Sequence, residues 1–383
     1  TGMNFTGDTN LIVENNRLER NYTGISLTDV NGAIIGSPDN GNTFLYTNYG
    51  ITAQGGNSIF IDSNIMDYVN YGITTTDTTG VTIVDNQLLG GFGGYSEVSK
   101  ISNEDDYEGD YDYPYGYGVG SYGIHVVSGG LNTSIQGNEV HNFEMGIGVE
   151  HSDHTSILSN TVYDIFAQYF EDETLFGDAI YVNDSTDTLV FDNIIFTAEN
   201  GVHVVDSSWT EVTGNDISDT NVGVFAESAR FLSVLGNNRL YNNFIGANIV
   251  DSDGAIVDGN QIYDNFVGAV IVDSDSTIVN DNQIHNNFTG EVIVDSNGAI
   301  VNNNEIHDNF IGANIVSSDR VIIGGNQVFD NFVGVEVDSS NNVAVSNNTF
   351  TNNGLFKYKA SLIKVKPPFE IIALEFIISS KKS

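Results

Sequence analysis

The chain has 383 residues, and its 51 Asp and Glu against 12 Lys and Arg give a formal net charge of -39 at pH 7. Nucleic acids and anionic lipids are bound mainly through basic side chains, so we expect neither as a partner. Because the chain contains no cysteine, disulfides, zinc fingers and thiol nucleophiles are excluded. Hydrophobic residues make up 40% of the chain, enough for a core, yet no apolar run is long enough to predict membrane insertion.

A repeat runs through most of the chain, beginning near its first residues. An Asn followed two residues later by an apolar residue recurs most often at a spacing of 22. These residues are Asn16, Asn42, Asn64, Asn86, Asn138, Asn160, Asn193, Asn215, Asn238, Asn260, Asn282, Asn304, Asn326 and Asn348. A Gly follows most of them eight residues later and precedes a segment in which apolar residues alternate. Such alternation predicts a β-strand with one buried face.

The composition of the repeat decides between two solenoid folds. Leucine-rich repeats have a similar period, but no Leu occurs between Tyr241 and Gly354. Asn, Gly, Asp, Val and Ile fill the period instead, and these are mediocre or poor helix formers. We therefore predict an all-β fold, a parallel β-helix of about 14 coils of 22 residues over residues 1–354. Residues at equal phase should then stack about 4.8 Å apart, which places Glu291 at an inward position.

Two insertions interrupt the repeat, near residues 95–122 and 168–178. Each enters just before the strand at the Gly phase, and the two coils concerned are two apart. We expect the insertions to overhang the same side of the solenoid, where long loops usually carry binding.

Beneath that overhang, the outward positions of the Gly-phase strand carry acid and base groups. Two residues past the Gly, the stacked column contains His125, Tyr181 and His203, which we predict to be catalytic. The next outward column supplies predicted substrate-binding residues, namely Glu150, Asn183 and Glu227. Such groups suit proton abstraction next to a carboxylate, although ordinary surface polarity is the alternative. Hydrolysis is disfavoured, because Glu150 and Glu227 should be about 14 Å apart, too far for an inverting pair.

Two segments of the repeat resemble those of a known group of proteins. Asn-Gln-Ile-His-Asn-Asn at 282–287 and Asn-Glu-Ile-His-Asp-Asn at 304–309 are similar to repeats of secreted right-handed parallel β-helix proteins. This group includes mannuronan C5-epimerase modules, polysaccharide lyases and NosD-like periplasmic proteins. The resemblance implies a right-handed solenoid, a secreted or cell-surface location and a polysaccharide partner.

The same resemblance bears on the catalytic residues. Epimerases of this group have an Asp-Pro-His-Glu tetrapeptide near this phase, where this chain reads Gly148-Val149-Glu150-His151. Tyr and His are the usual catalytic types of the group, so the resemblance implies roles for Tyr181, His203 and His151.

The first insertion is rich in carboxylates and tyrosines. Carboxylate oxygens suit Ca²⁺, and we predict as ligands Asp105, Asp106, Asp110 and Asp112. Tyr113 and Tyr115 are predicted to stack on sugar rings. The alternative is a solvated acidic loop that binds nothing. No cofactor other than Ca²⁺ is expected.

Toward the C-terminal coils an outward column becomes apolar and contains Val250, Val272, Val294 and Val316. An apolar stripe on a flat sheet predicts self-association or cover by another segment. Residues 355–383 abandon the repeat and contain six of the 12 basic residues, so we interpret them as a tail or cap.

Taken as a whole, the sequence favours an extracellular carbohydrate-active β-helix protein. As an enzyme, it would be a uronate C5-epimerase or lyase that acts by C5-proton abstraction. The alternative is a non-catalytic surface or adhesion module that binds glycan or Ca²⁺.

Overall fold

A computed structural model describes residues 1–91, 121–128, 131–166, 168–170, 173–175 and 177–354. They form an all-β parallel β-helix of about 14 coils, each of about 22 residues, as the repeat predicts, with the right-handed winding that the resemblance implies. No helix within these ranges is long and apolar enough to cross a membrane. The acidic insertion and the predicted tail lie outside the described residues.

A typical coil contributes three strands, which we name by their place in the repeat. The glycine strands lie at the phase of the recurrent Gly and are Met3–Thr6, Thr23–Thr28, Tyr49–Gln54, Tyr71–Thr76, Tyr122–Val127, Met145–Glu150, Asp178–Asn183, Ile245–Val250, Val267–Val272, Thr289–Val294, Ile311–Val316 and Val333–Asp338. The asparagine strands follow the recurrent Asn and are Arg17–Glu19, Thr43–Leu45, Ile65–Val69, Gln87–Gly90, Glu139–His141, Thr161–Tyr163, Arg239–Tyr241, Gln261–Tyr263, Gln283–His285, Glu305–His307, Gln327–Phe329 and Thr349–Thr351.

In two coils the asparagine and glycine strands fuse into the long strands Ile194–Val205 and Asp216–Glu227, so both sets belong to one 26-stranded sheet. A separate 14-stranded sheet is formed by the back strands, which are Ile12–Val13, Ile34–Ile35, Phe60–Asp62, Thr82–Val84, Thr133–Gln136, Thr155–Leu158, Leu189–Phe191, Glu211–Thr213, Ser233–Leu235, Ile256–Asp258, Ile278–Asn280, Ile300–Asn302, Ile322–Gly324 and Ala344–Ser346. Within the second insertion, Gln168–Phe170 pairs antiparallel with Glu173–Leu175.

Residues of equal phase stack across the coils and build the core. Ile25, Ile51 and Ile73 are aligned by parallel register on three successive glycine strands, and all three are fully buried. The same phase continues through Ile124 and Ile147. Because side chains of a strand alternate between faces, the residue that follows each of these isoleucines points outward.

The recurrent Gly is required by the close approach of successive coils. A Cβ at Gly246 would lie 2.5 Å from the carbonyl oxygen of Gly268 and 2.8 Å from Cγ2 of Ile262. No positive φ is found at this Gly, so a steric limit, and not an unusual backbone conformation, fixes its position.

The Asn ladder is buried and connects each coil to its neighbours. Nδ2 of Asn282 donates to the carbonyl oxygen of Val257 at 2.8 Å and to Oδ1 of Asn304 at 3.1 Å. Its Oδ1 accepts from the backbone N–H of Asn260 at 2.9 Å and from Nδ2 of Asn260 at 3.1 Å. One amide therefore satisfies backbone groups on two other segments of the solenoid.

Replacement of Asn282 by Ala is expected to destabilise the protein by roughly 2–5 kcal/mol, because a buried carbonyl and a buried N–H both lose their partner. Chemical unfolding of the variant and the parent would measure this loss. Asn314→Ala, at an outward position, is the control and should change stability by less than about 0.5 kcal/mol. Equal losses in the two variants would contradict a structural role for the ladder.

Glu291 does occupy an inward position, as its phase predicts. The parallel register aligns it with Ala269 and Ala313, and the side chain is fully buried. Neither carboxyl oxygen has a hydrogen-bond partner among the described residues. Burial raises the pKa of Glu291 to about 8, so the carboxyl group is largely neutral at pH 7.

Candidate functional site

The predicted outward column exists and brings together groups from four successive glycine-phase strands. Parallel register aligns His125 with Gly148, Gly148 with Tyr181, and Tyr181 with His203. The space beside Gly148 is narrow, since a Cβ there would lie 2.8 Å from Sδ of Met145 and 3.2 Å from Cδ2 of His125. Met145 and His125 therefore leave little room above Gly148.

His203 is held by a buried carboxylate on the preceding coil. Nδ1 of His203 lies 2.9 Å from Oδ2 of Asp178, whose side chain is only 1% exposed. Nδ2 of Asn200 donates to the other carboxyl oxygen, Oδ1, at 2.7 Å. Because an ionised carboxylate only accepts hydrogen bonds, a neutral His203 carries its proton on Nδ1. The lone pair of Nε2 is then available to take a proton.

Aromatic rings pack against both sides of the His203 imidazole. Phe225, on the next coil, stacks on it with ring centroids 4.7 Å apart, and Tyr181 meets it edge-on at 5.4 Å. Nε2 of His203 is buried and lacks a hydrogen-bond partner in the described part of the chain. A substrate must therefore displace the side chains that cover this atom before His203 can act as a base.

The surroundings of Tyr181 keep its hydroxyl protonated. Burial first, and then the negative charges of Glu150 and Asp178, raise the pKa of its hydroxyl to about 12. The phenol therefore stays protonated at neutral pH.

A second imidazole–carboxylate pair lies at the other end of the column. Nε2 of His125 is 2.8 Å from Oε1 of Glu150, and the ring of Tyr122 stacks on His125 at 4.2 Å. The hydrogen bond from His125 is the main cause that lowers the pKa of Glu150, although burial opposes it, and Asn183 lowers it further. Glu150 stays ionised and cannot supply a proton at neutral pH.

Other predicted site residues lie apart from these contacts. His151 is in the turn after the strand Met145–Glu150, more than half exposed, with Nε2 3.4 Å from Oδ2 of Asp184. Glu227 is exposed and aligned with Val205 in the second outward column. The structure therefore brings Tyr181 into contact with His203 and places His151 and Glu227 at the edge of the site.

Asp178 is the functional candidate that the sequence interpretation missed. It lies at the position directly before that of the recurrent Gly. The same position is occupied by Tyr122 two coils earlier and by Asn200 one coil later. An ionisable residue at that phase, three residues before Tyr181, was the available signal. Its contact with His203 depends on side-chain directions that the repeat does not give.

The predicted Ca²⁺ ligands Asp105, Asp106, Asp110 and Asp112, with Tyr113 and Tyr115, lie outside the described residues. Within the described ranges, no group of three or more Asp, Glu or His side chains is placed to hold a metal ion. Binding of Ca²⁺ by the insertion stays a prediction.

The predicted apolar column is also aligned. Val250, Val272, Val294 and Val316 follow one another in parallel register on neighbouring glycine strands. Each is only partly buried. Self-association through this face stays a prediction.

Comparison with known structures finds similar solenoids. A double mutant of the periplasmic alginate epimerase AlgG is 11% identical, with 86% of this chain and 78% of that chain covered and a TM-score of 0.52. The A-module of mannuronan C-5 epimerase AlgE4 from Azotobacter vinelandii is 12% identical over 81% and 88% of the two chains, with a TM-score of 0.48. An exopolygalacturonase from Thermotoga maritima is 11% identical over 82% and 84%, with a TM-score of 0.44. Likeness at such low identity shows the fold alone.

No curated protein sequence matches this chain. A family model described as "Right handed beta helix region" matches residues 97–245 and 200–350, which together span more than half of the chain. With the coil-by-coil register described above, this match shows that the chain belongs to the right-handed β-helix family.

Proposed function

We propose that this protein acts on a polysaccharide that contains uronate residues and removes the C5 proton of the sugar, as an epimerase or a lyase. The observation that carries the proposal is the contact of His203 with Asp178 and Tyr181. In this contact an imidazole that can accept a proton once its Nε2 is uncovered lies beside a phenol that holds a proton.

The roles of the two groups follow from their surroundings. Asp178 keeps the proton of His203 on Nδ1, so Nε2 is the general base that abstracts the C5 proton. Tyr181, a neutral phenol, is the general acid. Donation to the departing glycosidic oxygen on the same side of the sugar would give elimination and an unsaturated sugar. Donation to the opposite face of the same carbon would give epimerisation, which requires the sugar ring to lie between the two groups.

A hydrolytic mechanism is disfavoured by the state of the carboxylates. Glycoside hydrolysis commonly needs one carboxylic acid and one carboxylate on opposite sides of the scissile bond. Asp178 is buried against His203 and Asn200, and Glu150 is ionised against His125. Neither is free to protonate a leaving group.

The charge of the protein decides the conditions under which such a substrate binds. No Lys or Arg lies on the glycine-phase strands that carry His125, Tyr181 and His203. A uronate carboxylate would meet the negative Glu150, and Asn183 offers an uncharged hydrogen-bond donor beside it. Added Ca²⁺ or high ionic strength should therefore strengthen binding, since both reduce the repulsion.

The test is direct. Purified protein is incubated with alginate, pectate and a neutral glucan, with and without Ca²⁺. Absorbance at 232 nm reports elimination, and proton NMR reports epimerisation. Alginate is included because AlgG, the structurally similar protein, is named an alginate epimerase.

A Tyr181→Phe/His203→Ala double variant is the matched control, and we expect it to lose activity. Full activity of that variant would refute the assigned site. Binding without any product would instead favour a non-catalytic glycan-binding module, a reading that the burial of Nε2 of His203 supports.

A further inference from the structure

Two aromatic side chains stand exposed at the edge of the coils that carry the candidate site. Trp209 is 62% exposed and Phe231, on the next coil, is 50% exposed. Their rings stack with centroids 4.5 Å apart and planes 18° from parallel. Trp209 follows the strand Ile194–Val205, which carries His203, and it is the one Trp of the sequence. We call these two residues the aromatic pair.

The backbone at the aromatic pair is in a conformation that bulky residues avoid. Trp209 has a φ of 58° and Phe231 a φ of 55°. The corresponding turn residues also have positive φ and are mostly Gly or small and polar: Asn10, Gly32, Ser58, Gly80, Asn132, His154, Asp187, Gly254, Ser276, Gly298, Arg320 and Asn342. A left-handed conformation is unfavourable for a residue with a side chain, and Gly, Asn and Asp tolerate it best.

Folding therefore does not explain the aromatic pair. Each ring exposes apolar surface to water, and each occupies a position that Asn or Gly would fill with less strain. Backbone strain of this kind tends to collect at functional positions. Tyr46 and Tyr68 are also stacked, exposed and at positive φ, so these features alone do not mark a ligand site. The aromatic pair differs in its larger exposure and in its place on the coil of His203.

The surroundings of the aromatic pair fit a sugar. Beyond Phe231 the next coil has Gly254, where even a Cβ would be 3.7 Å from Cδ1 of Phe231, so no side chain covers the ring there. On the opposite side, the coil before Trp209 presents Asp187, whose Oδ2 is 3.3 Å from Nε2 of His154. Both of these polar side chains are more than half exposed and can bond to hydroxyl groups.

We propose that the aromatic pair is a second carbohydrate-binding site, on which a polysaccharide lies along the exposed edges of the stacked Trp209 and Phe231 rings, from the open face of Phe231 toward Asp187 and His154. The apolar C–H face of a sugar suits an aromatic surface, and its hydroxyl groups suit Asp187 and His154. Trp209 lies six positions after His203, a stretch of at most about 20 Å, so one polysaccharide chain can contact both places. The choice of ligand class rests on the proposed function, but binding at the aromatic pair requires no catalysis.

Because Trp209 is the only Trp, its fluorescence reports this site alone. Titration of the full chain with alginate, pectate and the neutral glucan is expected to give a saturable change in Trp emission with at least one of them. Phe231→Asn keeps the reporter, and we expect it to weaken that binding at least tenfold. Trp209→Asn should weaken retention on the same immobilised polysaccharide by a similar factor.

The unfolding temperature of the variants distinguishes a binding role of the aromatic pair from a structural role. Since Asn tolerates positive φ, both variants should unfold at the same temperature as the parent or at a higher one. Tyr68→Asn is the matched control, because Tyr68 has a φ of 57° and stacks on Tyr46 at 5.1 Å at a different edge. This control should show the same unchanged or raised unfolding temperature and should leave polysaccharide affinity unchanged.

Several outcomes would overturn the inference. The first is that no polysaccharide of the panel changes the Trp emission. The second is that the Phe231→Asn variant binds as tightly as the parent, and the third is that the variants lose stability along with binding. An emission change that follows protein concentration without any sugar would assign the aromatic pair to contact between copies of the chain. Binding that depends on Trp209 but yields no product would refute the proposed activity and support this inference. Product formation without any change in Trp emission would support the proposed activity and refute this inference.

Discussion

Replacing Asp178 by Asn is expected to lower turnover on the uronate substrate by about 10³-fold or more, as tautomer changes in Asp–His pairs do. Asn200 donates to one oxygen of Asp178, so the introduced amide must keep its oxygen on that side. Its NH₂ group then faces Nδ1 of His203 and forces the imidazole proton onto Nε2. Nε2 of His203 then carries a proton and cannot accept one from the substrate, although the shape of the site is preserved.

A second substitution is expected to restore part of this loss. In the Asp178→Asn/Asn200→Asp variant, the carboxylate at position 200 accepts from the amide NH₂, and the amide oxygen turns to Nδ1 of His203. Nitrogen NMR of the imidazole reports the tautomer without any substrate, so this arrangement can be tested even if no activity is found. A single variant in which the proton stays on Nδ1, or one with full turnover, would contradict the positioning role.

Glu291 should make stability fall as the pH rises, and Glu291→Gln should abolish this dependence. The ordinary pKa of Glu is near 4.5, and burial raises the pKa of Glu291 to about 8. Below pH 4.5 the group is protonated in both folded and unfolded chains and has no effect. Between these two pKa values the unfolded chain releases a proton that the folded chain keeps. The free energy of unfolding therefore falls by about 1.4 kcal/mol for each pH unit.

The difference in unfolding free energy between Glu291→Gln and the parent should therefore grow by on the order of 4 kcal/mol from pH 5 to pH 8. All other titrating groups are common to both proteins and cancel in this comparison. Glu291→Ala, which continues the Ala269 and Ala313 column, should likewise remove the dependence on pH. A difference that stays constant with pH would mean that the carboxyl group is ionised or paired in the folded protein.

The sequence determined the fold because the repeat is a direct consequence of the winding. A period of 22 with a fixed Asn, a fixed Gly and alternating apolar residues can be satisfied by coils that stack residue on residue. The register therefore follows from the sequence, which places Tyr181 beside His203 and Glu291 inside the core. Even the steric need for Gly follows from the approach of adjacent coils.

Side-chain contacts could not be determined in this way, because phase gives the position of a Cβ and not the direction of the atoms beyond it. Only the tertiary structure showed that Asp178 reaches His203, that His125 pairs with Glu150, and that His151 turns toward Asp184. The exposure of Trp209 and Phe231 at positive φ was equally hidden, since backbone conformation in the turns is not set by the alternation of the strands. A period fixes which residues are neighbours, whereas packing and electrostatics decide which of those neighbours touch.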